Sequence, residues 1–405
     1  MTKCINKMLN LQGVLVGKMD FLDSEKQIIV HCRSPRTTAN CPECGQSSKK
    51  VHQTSVRKIK HGLINYRQII LSLTVRRFKC KKCSKPFTES FPGISRDKSS
   101  ANLKIQMLDW LRRNSFNFIS EQFKISTSTL VRYLLKMNSD IKIDWATANI
   151  TKLGIDEHSF RGKYLIITIT DLSNKKLLTI LKSDDQKTLK QFIREIPSEY
   201  RDKIDEVCID LRSSYRTVVE RMLPGTILTA DRFHVETLAR RALDEIRTVI
   251  QDEAKGSRVN LKKLLWTNEN QLDEHEKIKL ELAFKKYENF PILKQAWIIK
   301  EQIVKMYWAN SEKEAEKRFK NIIMLLETSD YSCYLATMRR TLKKWKRPIL
   351  NYFKNKTTNG FTEGCHTKIK MIKRVSYGFR NINNYIAKIT LAFLPFIWIL
   401  NYHTV

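Results

Sequence analysis

Apolar and polar positions along this chain follow different rhythms, and each change of rhythm marks a change of architecture. Residues 1 to about 95 are rich in β-branched side chains, and Lys26–Cys32 and the alternating run Ile69–Phe78 read as strands. From about Asp97 to Asn138 apolar residues return at helical spacing, and Ala146–Asn149 reads as a connector. From Ile150 onward, ITKLGID, YLIITITDL, KLLTIL, EVCID and TILTAD are apolar runs of strand length. The first three lie close enough together for an antiparallel meander. Helical stretches at Gln186–Ile196 and Ser213–Met222 precede the fourth and fifth, as a mixed sheet requires. Beyond Asp231 the pattern is almost wholly helical, with charged amphipathic stretches to about Asn355. Trp266, Trp297, Trp308 and Trp345 in that region are expected in a core rather than stacked on bases. The most apolar stretch, Ile389 to Leu400, is far shorter than the ~20 residues that span a bilayer and reads as a buried C-terminal helix.

Composition adds a partner. The 405 residues are enough for several domains, and 74 Lys+Arg against 41 Asp+Glu give a formal net charge of +33. Such an excess points to a polyanion, nucleic acid before a membrane surface, although a merely basic or ribosome-associated protein has the same balance. The first residues, MTKCINKMLN, lack an apolar signal core, so a cytoplasmic, nucleoid-associated location is expected. In that compartment cysteines serve as thiols or metal ligands rather than disulfides.

Cys41-Pro-Glu-Cys44-Gly45 and Cys80-Lys-Lys-Cys83 are two Cys-x-x-Cys knuckles in one basic, strand-rich segment. A tight turn carrying two thiolates supplies half of a tetrahedral zinc shell, and Pro42 and Gly45 suit such a turn. The gap between the pairs exceeds the ~15–20 residues of compact fingers, and strands can fill it. Four protein ligands leave no open position, so the zinc is expected to be structural. The surrounding cations, Arg76 and Arg77 among them, are candidates for phosphate contact. His52 could replace a thiolate. Cys4, Cys32, Cys208, Cys333 and Cys365 are isolated and expected in cores.

Asn114–Phe123 and Ser126–Met137 read as two helices around a tight turn at Lys124–Ile125, with Ser126 or Thr127 as cap. Leu130, Tyr133 and Leu134 would pack against Phe118, Ile119 and Phe123. This is a helix-turn-helix layout, also compatible with a plain helical hairpin, and it makes Arg132 and Lys136 candidates for DNA contact.

Among the acids, Asp156 ends Leu153-Gly-Ile155, Asp210 ends Val207-Cys-Ile209, and Glu363 lies in Asn359-Gly-Phe-Thr-Glu-Gly364 at the start of a basic helix bearing Lys370, Lys373 and Arg374. Carboxylates at neighbouring strand ends, joined by one from a helix beside the sheet, suit two divalent cations ~3.5–4 Å apart at a phosphodiester. Magnesium, or manganese, is the expected ion. Strands commonly end in Asp, and Asp171, Asp184, Asp185, Asp205 and Asp231 stand in similar positions, so spacing alone does not select the set.

Gly154-Ile-Asp-Glu-His-Ser-Phe160, Ala230-Asp-Arg-Phe-His-Val235, the Arg258–Leu265 and Trp345–Phe353 regions, and Thr358-Asn-Gly-Phe-Thr-Glu-Gly364 leading to Ile369–Arg380 resemble the ISL3 family of bacterial insertion-sequence transposases. With the N-terminal cysteine pairs, the resemblance covers nearly the whole chain. It implies a DDE transposase that binds terminal inverted repeats and cleaves and transfers DNA strands. It also implies Asp156, Asp210 and Glu363 as catalytic acids on magnesium, Asp231 and His234 in support, and a homo-oligomer on DNA. Asp231 is the second choice should Asp210 not serve.

The implied fold is α+β multidomain. A zinc ribbon occupies 1–95 and a helix-turn-helix domain 96–145. A ribonuclease-H-like mixed α/β core begins at 150–253, carries an all-helical insertion at 254–353, and ends in a helical part at 354–405. One departure stands beside the site: the family's Asn after Glu-Gly-x is His366 here, preceded by Cys365. It keeps open the alternative of an inactive transposase-derived DNA-binding repressor, and a structure-selective nuclease with the same core is a second alternative.

Overall fold

The computed structural model describes residues 2–94, 97–253, 260–329 and 335–402. They divide into two compact units, Met1–Lys142 with Lys368–Val405, and Ile143–Thr367.

The first unit holds a sheet of β1 (Leu15–Leu22), β2 (Gln27–Arg33), β5 (Val51–Ile64), β6 (Arg67–Lys79) and β7 (Pro86–Thr88), with a two-stranded ribbon of β3 (Ala39–Asn40) and β4 (Ser47–Ser48). The order is β1-β2-β6-β5 with β7 also on β6; β2 and β6 are parallel and the other pairs antiparallel. Alternate residues of β6, Ile69, Leu71, Leu73 and Val75, are buried, as a strand with one apolar face requires. The β5–β6 hairpin turns through Asn65 and Tyr66, both at positive φ (47° and 61°), the geometry of a two-residue primed turn.

Three helices follow, Ala101–Leu111, Phe116–Phe123 and Thr127–Asp140. Ser100, Ser115 and Ser126 each cap one by accepting the N–H of Leu103, Phe118 and Thr129. Lys124 turns the chain in the left-handed region at φ 49°, where the turn was expected. Ile119, Phe123, Leu130 and Leu134 are fully buried, Tyr133 packs at the edge of their core, and Phe118 is instead 39% exposed.

The C-terminal segment differs from expectation twice. Lys368–Val405 belongs to the first unit rather than to the end of a sheet core, because Ala387, Leu391 and Ile399 share a core with Leu103, Leu111, Phe123 and Leu134. The apolar stretch Ile389–Leu400 is two helices rather than one, Ile382–Phe393 and Phe396–Tyr402. Pro395 places Leu394 in extended backbone (φ −65°, ψ 141°) and interrupts the helix there.

The second unit is built on β8 (Lys152–Arg161), β9 (Tyr164–Asp171), β10 (Lys176–Leu181), β11 (Glu206–Ile209) and β12 (Ile227–Ala230), in the order β10-β9-β8-β11-β12. β8, β9 and β10 form an antiparallel meander, while β11 and β12 run parallel to β8. Helices Gln186–Glu195 and Ser213–Met222 precede β11 and β12. The later helices, including Ile292–Met306, Glu312–Thr328 and Ala336–Asn355, share one apolar core with this sheet. Trp345 and Trp297 lie in that core, Trp266 is half-buried and Trp308 is 45% exposed. Among the described residues no helix is long and apolar enough to cross a membrane. Cys32, Cys208 and Cys365 are buried as expected, whereas Cys4 is exposed; Cys333 and Arg258 lie outside the described residues.

Candidate active site and zinc centre

The register of three strands places three acids abreast. Ile155 pairs with Ile209 across β8 and β11, and Ile209 with Ala230 across β11 and β12. The next residue on each strand is an acid: Asp156, Asp210 and Asp231. Because the strands are parallel, all three emerge at the same edge of the sheet. Asp231 therefore stands in the row on equal terms with the other two.

Glu363 comes to this row on the helix Gly360–Val375, and the approach depends on Gly154. A Cβ at Gly154 would lie 2.5 Å from Thr170 Oγ1, 2.7 Å from Thr362 Oγ1 and 2.8 Å from Asn359 Oδ1, all closer than a Cβ tolerates. The bare backbone admits the start of the helix. Asn359 is fully buried: its side chain donates to Ile155 O (3.2 Å) and its N–H to Asp231 Oδ1 (2.9 Å). Thr362 and Thr170 hydroxyls share a 2.7 Å hydrogen bond. Buried Glu206 at the other end of β11 accepts from Thr229 (2.5 Å), Asn355 (3.0 Å) and Thr357 (2.6 Å), holding the chain that leads into the helix. Gly154→Ala is expected to cost about 1–3 kcal/mol and to lower cleavage by displacing Glu363, measurable by urea unfolding alongside strand cleavage. Unchanged stability and rate would show that the contact is dispensable.

The crowding raises the acids' pKa values. Burial, then Asp210, Asp231 and Glu363, push the Asp156 carboxyl up to about 8. Burial raises Asp210 to about 6 against the opposing N–H of Arg212. Burial also raises Asp231 and Glu363, each with a nearby acid adding to it or an N–H resisting it. Asp210 Oδ1, Asp231 Oδ2 and Glu363 Oε1 are buried without a hydrogen-bond partner. Carboxylate oxygens left bare at a crowded edge fit hard divalent cations, which prefer such ligands. Asp231, His234 and Glu363 can bring one ligand atom each within 4.8 Å of one another. His234 Nε2 is also 3.9 Å from Asp156 Oδ1, and burial holds its imidazole below the usual value.

A cation entering this site must displace protons, so its apparent affinity is expected to rise between about pH 6 and 8. In the metal-free protein the sign is opposite. Carboxyls raised above their unfolded values favour the neutral form, so their contribution to stability falls as pH climbs from about 4 toward 8. Mn2+ titrations followed by calorimetry in buffers of different ionisation enthalpy test this; a pH-independent affinity without proton release contradicts it.

The other acids are occupied elsewhere. Arg212 binds Glu157 and, at 2.7 Å, Asp184. Asp171 accepts from Ser173 and Asn174 N–H in a turn, and Asp185 caps the helix after it. His366, the departure noted beside the site, has its Nδ1 3.6 Å from Asp156 Oδ2 and its Nε2 in a 2.9 Å hydrogen bond with Thr168 Oγ1, a contact the sequence did not reveal. The residue at the family's Asn position thus lies against Asp156 in the acid row.

In the first unit the two knuckles meet. Cys41, Cys44, Cys80 and Cys83 can place their sulfurs within 4.8 Å of one another, with Cys44 and Cys80 at 3.6 Å. Each knuckle closes through a left-handed residue after its second cysteine, Gly45 (φ 71°) and Ser84 (φ 56°). The Cys83 N–H donates to Cys80 Sγ at 3.4 Å and holds that thiol down at about 7, favouring the thiolate a metal needs. His52 is exposed on β5. Of the basic candidates, Arg77, Arg132, Lys136, Lys370 and Arg374 are exposed and Lys373 half-buried. Arg76 is not free as expected: it grips Glu89 at 2.7 and 3.1 Å and donates to Arg36 O.

A transposase family model matches residues 153–389, and the zinc-finger of transposases IS204/IS1001/IS1096/IS1165 matches residues 37–83. The protein is therefore a metal-dependent enzyme that cleaves and transfers DNA strands. It belongs to the ISL3 family of DDE transposases. It is 22% identical to the transposase for insertion sequence element IS1001 of Bordetella parapertussis over 96% of this chain and 98% of that one. The transposase for insertion sequence element IS1557 of Mycobacterium tuberculosis is 25% identical over 60% of this chain and 61% of its own length.

Proposed function

We propose that this transposase cuts at the ends of its own insertion sequence with Asp156, Asp210 and Glu363 as catalytic acids, Asp231 and His234 supporting them. The observation that carries the reading is the acid row set by the 155–209–230 register, with Glu363 brought to it over Gly154. The strand order β10-β9-β8-β11-β12 supports a ribonuclease-H-like core at 150–253, interrupted by the helical insertion 254–353 and completed by Glu363. Two Mg2+ or Mn2+ ions held there would activate the attacking water or 3′-hydroxyl and stabilise the leaving oxygen. Asp156, at the β8 end of the row and fixed by the Glu157 N–H at 2.7 Å, would serve both ions, with Asp210 and Glu363 each serving one. Asp231 orients the Asn359 backbone, and His234 stands between Asp231 and Asp156 to steady both.

The zinc ribbon and the capped helices 116–140 form the end-binding module, the second helix presenting Arg132 and Lys136 as in a helix-turn-helix. Arg77, Lys370, Lys373 and Arg374 contact phosphates. Terminal inverted repeats and target DNA are the partners, a homo-oligomer joins the two ends, and the nucleoid in the cytoplasm is the place of action.

The test is a plasmid carrying a selectable marker between the gene's own flanking sequences, incubated with the full-length protein and Mg2+ or Mn2+. Excision at the flanks and joining to target DNA support the reading. Cutting without regard to the flanks would make the protein a nuclease, and flank binding without cutting a repressor.

A further inference from the structure

The first unit contains an anion pocket that none of the preceding roles uses. A cavity of about 340 Å3 is lined by Arg112, Arg113, Lys368 and Lys388, with Met371 and Val375 among its apolar walls. Its size falls at the low end of ligand-sized pockets, ~300–1,000 Å3. Lys388 is the telling residue. It is 1% exposed, yet its ammonium donates only to neutral groups, Asn114 O (2.5 Å) and Ser376 Oγ (2.7 Å), with the Phe116 ring 5.1 Å away. Among the described residues no carboxylate pairs with it, and its third proton has no acceptor. A buried, uncompensated ammonium is unfavourable unless an anion joins it. Burial alone pulls its pKa down to about 8.

Its neighbours point the same way. Arg112 spends Nη2 on Leu394 O (2.9 Å) and Nη1 on Asp109 (3.3 Å), and its buried Nε has no partner. Lys368 donates to Ala392 O at 2.9 Å, and Arg113 is exposed at the rim. Met371 and Val375 are 63% and 41% exposed, an apolar surface beside the cations.

We propose that this pocket binds a backbone phosphate of a DNA strand, Lys388 and the Arg112 Nε holding the oxygens and the apolar wall receiving the adjoining sugar. Three observations carry it: the buried ammonium without a counter-ion, the orphaned guanidinium nitrogen, and a cavity whose lining includes both residues. DNA, rather than a small phosphate, follows from the protein's class and from the Asn114 carbonyl that ties Lys388 to the entry of the helix Phe116–Phe123. The site is independent of the acid row, so failure of either reading leaves the other standing.

The experiment compares the full-length wild type with Lys388→Met and the surface variant Arg113→Gln. Melting temperature is followed with inorganic phosphate against chloride at matched ionic strength, and duplex affinity against salt for two unrelated sequences. The wild type is expected to gain several degrees from phosphate, a gain that Lys388→Met loses, that Arg113→Gln at the rim reduces, and that bound duplex pre-empts. Each variant should bind both duplexes roughly three- to tenfold more weakly, with the slope of log K against log[salt] shallower by about one. Lys388→Met should itself fold, since it removes a buried charge. No phosphate effect in the wild type, or an equal effect in all three proteins, overturns the pocket. A phosphate effect lost or reduced in the variants while duplex affinity and salt slope stay unchanged overturns the DNA assignment in favour of a small phosphorylated ligand.

Discussion

Asp156→Asn is expected to lower metal-dependent DNA cleavage roughly a thousandfold or more, while making the metal-free protein more stable at pH 8 by on the order of 2 kcal/mol. The two effects share one origin. Asp156 is 4% exposed, in a row with Asp210 and Asp231 and facing Glu363, and its carboxyl is pushed up to about 8. At pH 8 about half of the folded, metal-free molecules carry a charge there that the edge disfavours, whereas the unfolded chain ionises freely. An uncharged isostere removes that penalty. On the proposed assignment the same substitution also removes the carboxylate shared by both cations. Chemical unfolding at pH 5 and pH 8, run with the cleavage assay, separates the outcomes: the stability gain should shrink toward pH 5. A variant that is both inactive and less stable at pH 8 would point to a structural role for Asp156.

Cys80→Ser is the second large effect. Structural zinc sites contribute about 10–16 kcal/mol of apparent binding free energy, nearly all of it folding free energy of the segment they staple. The β5–β6 hairpin between the knuckles has its own core, but the knuckles themselves pack only against the small cluster of Cys41, Phe78, Cys80 and Phe87, so little besides the metal holds them. Zinc content is expected to drop from one per chain to near zero. Amide protection should be lost around residues 39–48 and 79–88, and duplex binding should weaken at least tenfold. The hydrogen-exchange pattern of β8–β12, in the other unit, should stay unchanged. Full zinc occupancy in the variant would mean that the four thiols are not the ligand set.

How far the sequence reaches depends on the kind of information each feature needs. Both Cys-x-x-Cys pairs and the meander from β8 to β10 are legible because they are local: spacing and period-two alternation suffice. β5 escapes the same logic. Its first half, Val51–Val56, is exposed on both sides, so it carries no alternation and exists by pairing with β6. The equal standing of Asp231 with Asp156 and Asp210 is a matter of register, which no single strand reveals. Gly154 reads as an ordinary glycine until the helix bearing Glu363 lies against it. The commitment of Arg76 to Glu89 is likewise invisible in a run of cations. The C-terminal helices were legible as apolar, but their partners, Leu103 to Met137, lie more than two hundred residues earlier in the chain, beyond any periodic signal.

The most direct test of the account is cleavage of an end-labelled duplex bearing the gene's own flanking sequence, with Mg2+ or Mn2+, by the wild type, Asp156→Asn and Glu363→Gln. The account predicts metal-dependent nicks at the flank boundary by the wild type, none by either variant, and duplex binding by all three within about twofold. Equal nicking by Glu363→Gln, or binding without nicking by the wild type in either metal, would contradict the claim that the four-acid edge is the cutting site.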